Sequence, residues 1–191
     1  MDNPRFLCYN TQSNFMKARV LLMPLSFLPK AMIEQLSDLT PEWLHERGIR
    51  LLLMDFDNTI VPYTTNEPTE TVRRWFARMQ QSDVSLCVVS NSHRARVPDF
   101  CAAMGLDCVT AAKKPGTRGI RQALGNYHCA PSEAALVGDQ IYTDVLGANR
   151  AGVFPILVRP ISLHIFPLRV RNWAERPWIH LAKRRLSHDQ S

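Results

Sequence analysis

The sequence predicts an α/β fold, a doubly wound parallel sheet flanked by helices, with no large inserted cap. Three observations carry that reading. Short, mostly apolar runs at residues 51–54, 84–89, 108–111, 134–137 and 154–158 alternate with stretches of helical period, as expected of strands buried on both faces. The connections between them are short, in the manner of βαβ units. Four of the five runs end in chemically interesting polar residues, and ligands in open α/β sheets bind beyond the carboxyl ends of the strands.

Each element has its own justification. Residues 1–18 show no period and are expected to form a flexible lead-in, whereas Met32, Ile33, Leu36 and Leu39 fall at helical spacing within residues 29–39. Thr40 followed by Pro41 starts a helix in the favoured cap-then-proline order, and Gly48 closes it. After the first strand, residues 63–68 form a polar loop. Thr69 or Thr71 can cap a helix running through Gln81, with Val72, Trp75, Phe76 and Met79 on one face. The second strand ends at Ser90, Asn91 and Ser92, and a helix carrying Val97, Phe100, Cys101 and Met104 stops at Gly105. The third strand leads into Ala112-Lys113-Lys114-Pro115-Gly116 and a helix over residues 117–124; the fourth enters Gly138-Asp139-Gln140-Ile141-Tyr142-Thr143-Asp144, and the helix there ends near Gly152. Beyond Arg159, three prolines (Pro160, Pro167 and Pro177) break the pattern, so the final helix is expected from Pro177, with Trp178, Leu181, Ala182 and Arg185 on one face. The expected organisation is a lead-in over 1–18, one catalytic-type domain over 19–171, and a basic helix and tail over 172–191.

A chain of 191 residues, 46% hydrophobic and 21% charged, can bury a core without disulfides. Cysteines at 8, 87, 101, 108 and 129 form no CxxC pair, which favours reduced thiols in a cytosolic protein over a disulfide scaffold or zinc site. No run reaches the roughly 18 apolar residues of a membrane span, and residues 20–29 are too short and proline-broken to suggest a signal peptide. The formal charge of +6 is uneven. Residues 51–158 hold ten basic and ten acidic side chains, whereas residues 159–191 hold seven and two. Such a tail fits an anionic lipid surface, an acidic partner or nucleic acid, with plain solvation as the simpler role. The neutral core and the lack of a stacking sheet or recognition helix argue against nucleic acid as the main partner. The expected location is cytoplasmic, with peripheral contact at the inner membrane face. Oligomeric state is not legible.

Taken together, the strand ends offer Asp55, Asp57, Ser90, Asn91, Lys114, Asp139 and Asp144. Carboxylates from separate strand ends can converge on Mg2+, which prefers oxygen ligands and leaves room for phosphate and water. A lysine, a hydroxyl and the backbone N–H groups of Asp57–Thr59 and Ser90–Ser92 would complete a phosphate pocket. That inventory suits attack on phosphorus by one carboxylate while another acts as general acid. His45, His128, His164, His180 and His188 form no metal-spaced set. Arg94 and Arg96 either greet an anionic substrate or solvate their helix.

These motifs, in this order, resemble the haloacid dehalogenase (HAD) superfamily: DxDxT as Asp55-Phe56-Asp57-Asn58-Thr59, a strand-end Ser90 followed by Asn91, Lys114 before proline, and GDxxxxD from Gly138-Asp139 to Asp144. The chain is similar to the subfamily IIIA phosphatases and their YqeG-like group, themselves similar to mitochondrial phosphatidylglycerophosphate phosphatases. The resemblance implies a HAD-like (Rossmannoid) fold and a magnesium-dependent phosphomonoesterase. It makes Asp55 the nucleophile and a metal ligand, and Asp57 the general acid and base whose backbone carbonyl touches the metal. Thr59 and Asn58 support the turn and substrate, Ser90 and Asn91 bind phosphate, and Lys114 holds phosphate and nucleophile together. Asp139 and Asp144 complete the metal site. Phe56, Ile60 and Ser92 depart from the group's usual residues without removing a reacting group.

The intervals from Asp57 to Ser90 and from Ser90 to Lys114 are filled by one helix and one strand each, leaving no room for a cap. An open site accepts a phosphate protruding from a large molecule. The leading expectation is therefore a phosphatidylglycerophosphate-like lipid, with the basic, Trp173- and Trp178-bearing tail against an anionic bilayer. The alternatives are a phosphatase of nucleotides, sugar phosphates or nucleic-acid ends, and a non-catalytic protein that binds a phosphorylated ligand.

Overall fold

The computed structural model describes residues 26–162 and 166–188. Its centre is a six-stranded sheet built from β1 (Ala31–Ile33), β2 (Leu51–Met54), β3 (Ser85–Val89), β4 (Asp107–Val109), β5 (Ala134–Gly138) and β6 (Phe154–Val158). All neighbours pair in parallel, in the order β1-β6-β5-β2-β3-β4. From β2 the chain steps outward through β3 and β4, then crosses back to β5 on the other side of β2. The crevice at that reversal lies between β2 and β5, whose ends carry Asp55 and Asp139.

The helices are α1 (Pro41–His45), α2 (Glu70–Gln80), α3 (Arg96–Met104), α4 (Arg118–Asn126), α5 (Leu146–Ala151) and α6 (Phe166–His188). Strand alternation sorts the core into two faces. Leu52 and Met54 pack with Trp75, Phe76, Met79, Val97 and Phe100 from α2 and α3. Leu51 and Leu53 pack with Ile120, Ala123, Leu124, Ala148 and Ala151 from α4 and α5. Leu157, of opposite parity to Ile156 and Val158, forms a third cluster with Ile141 and Val145, against which Met32, Trp178 and Ile179 pack. That cluster seats α6 beside the β1–β6 edge.

Local signals explain most boundaries. Thr40 Oγ1 accepts from Trp43 N at 3.1 Å with Pro41 in the first turn, and Thr69, rather than Thr71, caps α2 by accepting from Val72 N. Gly48, Gly105 and Gly152 take φ of +67°, +65° and +76° where α1, α3 and α5 hand over to the next segment, a conformation that costs a Cβ-bearing residue energy.

Two expectations are corrected. Residues 31–33 form an edge strand instead of a helix, so the sheet has six strands. Lys30 N donates to Pro155 O (2.9 Å) and Arg159 N to Ile33 O (3.1 Å), extending the ladder at both ends. Pairing with β6 thus overrides a helical spacing too short to sustain a helix. The same segment then closes in a single 3₁₀ turn, Leu36–Asp38, whose Asp38 Oδ2 accepts from Glu34 N and Gln35 N. The final helix begins at Phe166, not Pro177. Pro167 falls in the first turn, where its missing N–H costs nothing. Pro177 lies inside and leaves the Trp173 carbonyl without its helical donor. Trp173 is 69% exposed, so water can reach that position. Residue 172, where the expected basic helix and tail begins, lies within α6, and residues 1–18 fall outside the described range.

Leu53 is fully buried between β3 and β5. Leu53→Ala is expected to lower unfolding free energy by about 2–5 kcal/mol, read as a reduced urea midpoint with an unchanged slope.

Candidate active site

Four loops bring the site together at the carboxyl ends of β2, β3, β4 and β5. Asp55 directly follows β2, its N–H donating to Val137 O (2.9 Å), so β5 fixes its backbone. Lys114 arrives from the loop after β4 and is almost wholly buried. Its Nζ lies 2.7 Å from Asp55 Oδ1 and 2.8 Å from Asp144 Oδ1. Asn91, after β3, locks that loop in place: its Oδ1 accepts from Lys114 N at 2.7 Å and its Nδ2 donates to Lys114 O at 2.9 Å.

Asp55, Asp139 and Asp144 each offer a carboxylate oxygen within 4.8 Å of the others, and all three residues are buried. Burial pushes the Asp144 carboxyl up to about 6, against the opposing pull of Lys114 and with added repulsion from Asp55. Burial alone would lower the Lys114 ammonium; Asp144 and Asp55 outweigh it and the net shift is upward. One ammonium facing three close carboxylates leaves room for a hard divalent cation, and the all-oxygen donor set fits one. Asp55, Asp139 and Asp144 are the residues that would hold it.

Between Asp139 and Asp144 the chain makes a π-helical turn, Ile141–Val145, ahead of α5, an irregularity often found at functional sites. Asp144 Oδ2 accepts from Gln140 N at 3.1 Å, folding the carboxylate back over the strand end. A Cβ on Gly138 would sit 2.3 Å from Asp144 Cγ. Glycine is needed there for space.

The carboxylate of Asp57 is not part of the trio. Its Oδ1 pairs with Arg96 Nη1 at 3.3 Å. Burial raises its pKa and Arg96 opposes the shift. Asn58 is buried with φ of +66°, a conformation asparagine tolerates. Its Oδ1 accepts from Ser162 N and its Nδ2 donates to Ser162 O, with a longer 3.4 Å contact to Asp139 Oδ2. Asn58 thus ties the loop after β2 to the segment after β6. Thr59 Oγ1 is buried with no hydrogen-bond partner among the described residues, and Ser90 Oγ accepts from Ser92 N at 3.1 Å. Three amides expected to face phosphate are otherwise engaged: Ser92 N, Ser90 N, which donates to Val109 O, and Asn58 N, which donates to Val61 O.

From the sequence, Arg96 stays open between greeting an anionic substrate and solvating its helix, and Glu175 is missed. Arg96 donates to the carbonyls of Pro62, Tyr63 and Thr65 and stands 5.1 Å from the Phe56 ring centroid. Nothing local marks its pairing with Asp57 and the loop carbonyls, because those partners lie more than thirty residues away. Glu175, 1% exposed, accepts from Ile141 N and Tyr142 N with Oε1. Its faint signal is that it is the only acidic residue between Arg159 and His188.

The profile of the family described as mitochondrial PGP phosphatase matches residues 11–161. The chain belongs to that family. The probable phosphatase YqeG of Bacillus subtilis is 32% identical over 160 residues, 83% of this chain and 93% of the relative. The mitochondrial phosphatidylglycerophosphatase of Saccharomyces cerevisiae is 28% identical over 156 residues, 74% of this chain and 82% of the relative. An uncharacterized protein from Listeria monocytogenes serotype 4b superimposes with a TM-score of 0.50 at 16% identity, covering 62% of this chain and 84% of that one; that likeness speaks to the fold alone. This member of the PGP phosphatase family is a HAD-type phosphatase, a phosphoric monoester hydrolase.

Gly138→Ala is expected to cut phosphatase activity on the order of 100-fold by displacing Asp144, measured with an aryl phosphate. Gly125→Ala, whose new Cβ meets nothing within 4 Å, is the control and should retain activity.

Proposed function

We propose that the chain is a Mg2+-dependent phosphomonoesterase that works through an aspartyl-phosphate on Asp55 and acts on a phosphatidylglycerophosphate-like lipid. The observation that carries this reading is the meeting of Asp55, Lys114, Asp139 and Asp144, with the Lys114 ammonium 2.7 Å from the carboxylate that would attack.

Asp55 supplies an oxygen to phosphorus, and the bond from phosphorus to the leaving oxygen breaks. Asp57 donates its proton to that oxygen, and burial, by raising its pKa, favours the protonated form the step needs. Asp57 then takes a proton from water, whose oxygen attacks the aspartyl-phosphate to release phosphate and restore Asp55. Lys114 keeps the nucleophile oriented and neutralises phosphoryl oxygens. Ser90 would bind the phosphate, Asn91 holds Lys114, and the buried Thr59 hydroxyl, without a partner among the described residues, is a donor available to phosphate. Asp55, Asp139 and Asp144 would hold Mg2+, which when bound would supply charge stabilisation to the phosphoryl group.

A lipid substrate draws support from three features. A groove of about 1330 Å3 borders the site at Thr59 and Asp139 and runs past Met32, Leu157, Ile161 and Ile179 to Lys183. Along α6, Val170, Trp173 and Leu181 are exposed at spacings that share a helix face, beside Lys183, Arg184 and Arg185, a composition suited to an anionic lipid surface. The yeast relative is by name a phosphatidylglycerophosphatase.

Asp55→Asn is expected to lower hydrolysis by at least about 10³-fold, and EDTA should abolish wild-type hydrolysis until Mg2+ is restored; undiminished turnover in either case would refute the mechanism. For the substrate, the protein should release phosphate from phosphatidylglycerophosphate in vesicles faster than from sugar phosphates or nucleotides. Trp173→Ala combined with Leu181→Ala should reduce sedimentation with anionic vesicles at low salt.

A further inference from the structure

We propose that Glu175, on α6, is a positioning residue for the acidic trio, acting through the turn that separates Asp139 from Asp144. The inference rests on the reading of that trio as a Mg2+ site.

The first amides of a helix lack internal acceptors. Here three successive N–H groups are held by two carboxylates. Gln140 N donates to Asp144 Oδ2 (3.1 Å), while Ile141 N and Tyr142 N donate to Glu175 Oε1 (3.1 and 3.4 Å). Asp144 serves the first donor and also meets Lys114 with its other oxygen. Glu175 serves the next two and is outside the set of oxygens that converge on the cation position. The division of labour matters because the amide-rich end of the turn attracts anions. With Glu175 gone, the N–H groups of Ile141 (buried) and Tyr142 (half-buried) lose that acceptor, in the turn that joins Asp139 to Asp144. Either carboxylate can serve them only by leaving its place in the trio.

The surrounding contacts hold Glu175 to this task. Tyr142 Oη donates to Ala174 O at 3.1 Å, directly before Glu175. Phe27 packs against both Tyr142 and Trp178, with centroids at 5.6 and 4.8 Å. The turn and α6 are therefore fastened on either side of the carboxylate. A π-helical turn closes through i→i+5 bonds, here Val145 N to Gln140 O at 3.2 Å, and this one also has partners outside itself. Glu175 is such a partner. It links α6, the most basic part of the chain, to the position of two metal-binding carboxylates.

The test uses the full chain, with Glu175→Gln, Glu175→Asp, Glu175→Ala and the exposed control Arg176→Ala. Mg2+ is titrated against the thermal unfolding midpoint, which needs no turnover, and against hydrolysis of p-nitrophenyl phosphate. Glu175→Ala should require about tenfold more Mg2+ for half-maximal stabilisation and hydrolysis, with KM for the ester changed less than about twofold. Glu175→Asp, which retracts the acceptor, should also raise the Mg2+ midpoint, by roughly threefold or more. Glu175→Gln keeps an acceptor oxygen and should stay within about threefold of wild type, as should Arg176→Ala. If Glu175→Ala does not fold, the comparison of Asp with Gln decides. Equal Mg2+ midpoints in wild type and Glu175→Asp would overturn the inference while leaving the Mg2+ reading intact. A wild-type protein that ignores Mg2+ by both readouts would overturn that reading and the inference with it.

Discussion

The Lys114 ammonium, buried between Asp55 and Asp144, is the interaction on which the rest of the site depends. Three carboxylates cannot share so small a space in a sheet's interior without a compensating charge, and burial by itself already pushes the Asp144 carboxyl upward. Removing one partner of a buried pair leaves an uncompensated ion, typically at a cost of about 3–5 kcal/mol. Much of the neighbouring structure holds that ammonium in place. Asn91 grips the Lys114 backbone from both sides, and Gly119, where a Cβ would meet Ala112 Cβ at 2.5 Å, lets α4 close against the same loop. The two carboxylates are fixed by adjacent strands, since β2 and β5 are hydrogen-bonded neighbours.

That adjacency follows from strand order, and strand order follows from the apolar runs. Leu51–Met54 is buried on both faces, so it must be central, with helices above and below. Once β2 is central and the chain reverses across it, the ends of β2 and β5 lie side by side, and whatever polar residues follow them must meet. Chemistry at this position is a consequence of topology and of which residues stand one step beyond each strand.

For the same reason Asp55, Lys114, Asp139 and Asp144 are legible in the sequence: each sits at the end of a strand marked by its own apolar run or in the loop that follows. The failures share a cause. Residues 31–33 carry spacing compatible with a helix, and only the partner strand β6, more than a hundred residues away, makes them extended. Pro177 reads locally as a helix start, yet Trp178 and Ile179 pack on the third cluster and carry the helix through it. Arg96 and Glu175 hold residues far off in sequence. Period and capping chemistry record what a segment does with its neighbours in sequence; they are silent about a side chain whose partner arrives from elsewhere.

The placement of Glu175 also sets an order of events during synthesis. All four motif segments have been made once residue 144 is joined, but the acceptor for Ile141 and Tyr142 comes thirty-odd residues later. A chain leaves the ribosome from its N-terminus, and its earlier parts fold first. The nascent protein therefore carries Asp55, Lys114, Asp139 and Asp144 for a time before the turn bearing Asp144 has its full set of partners, and completing that set is among the later events of its folding.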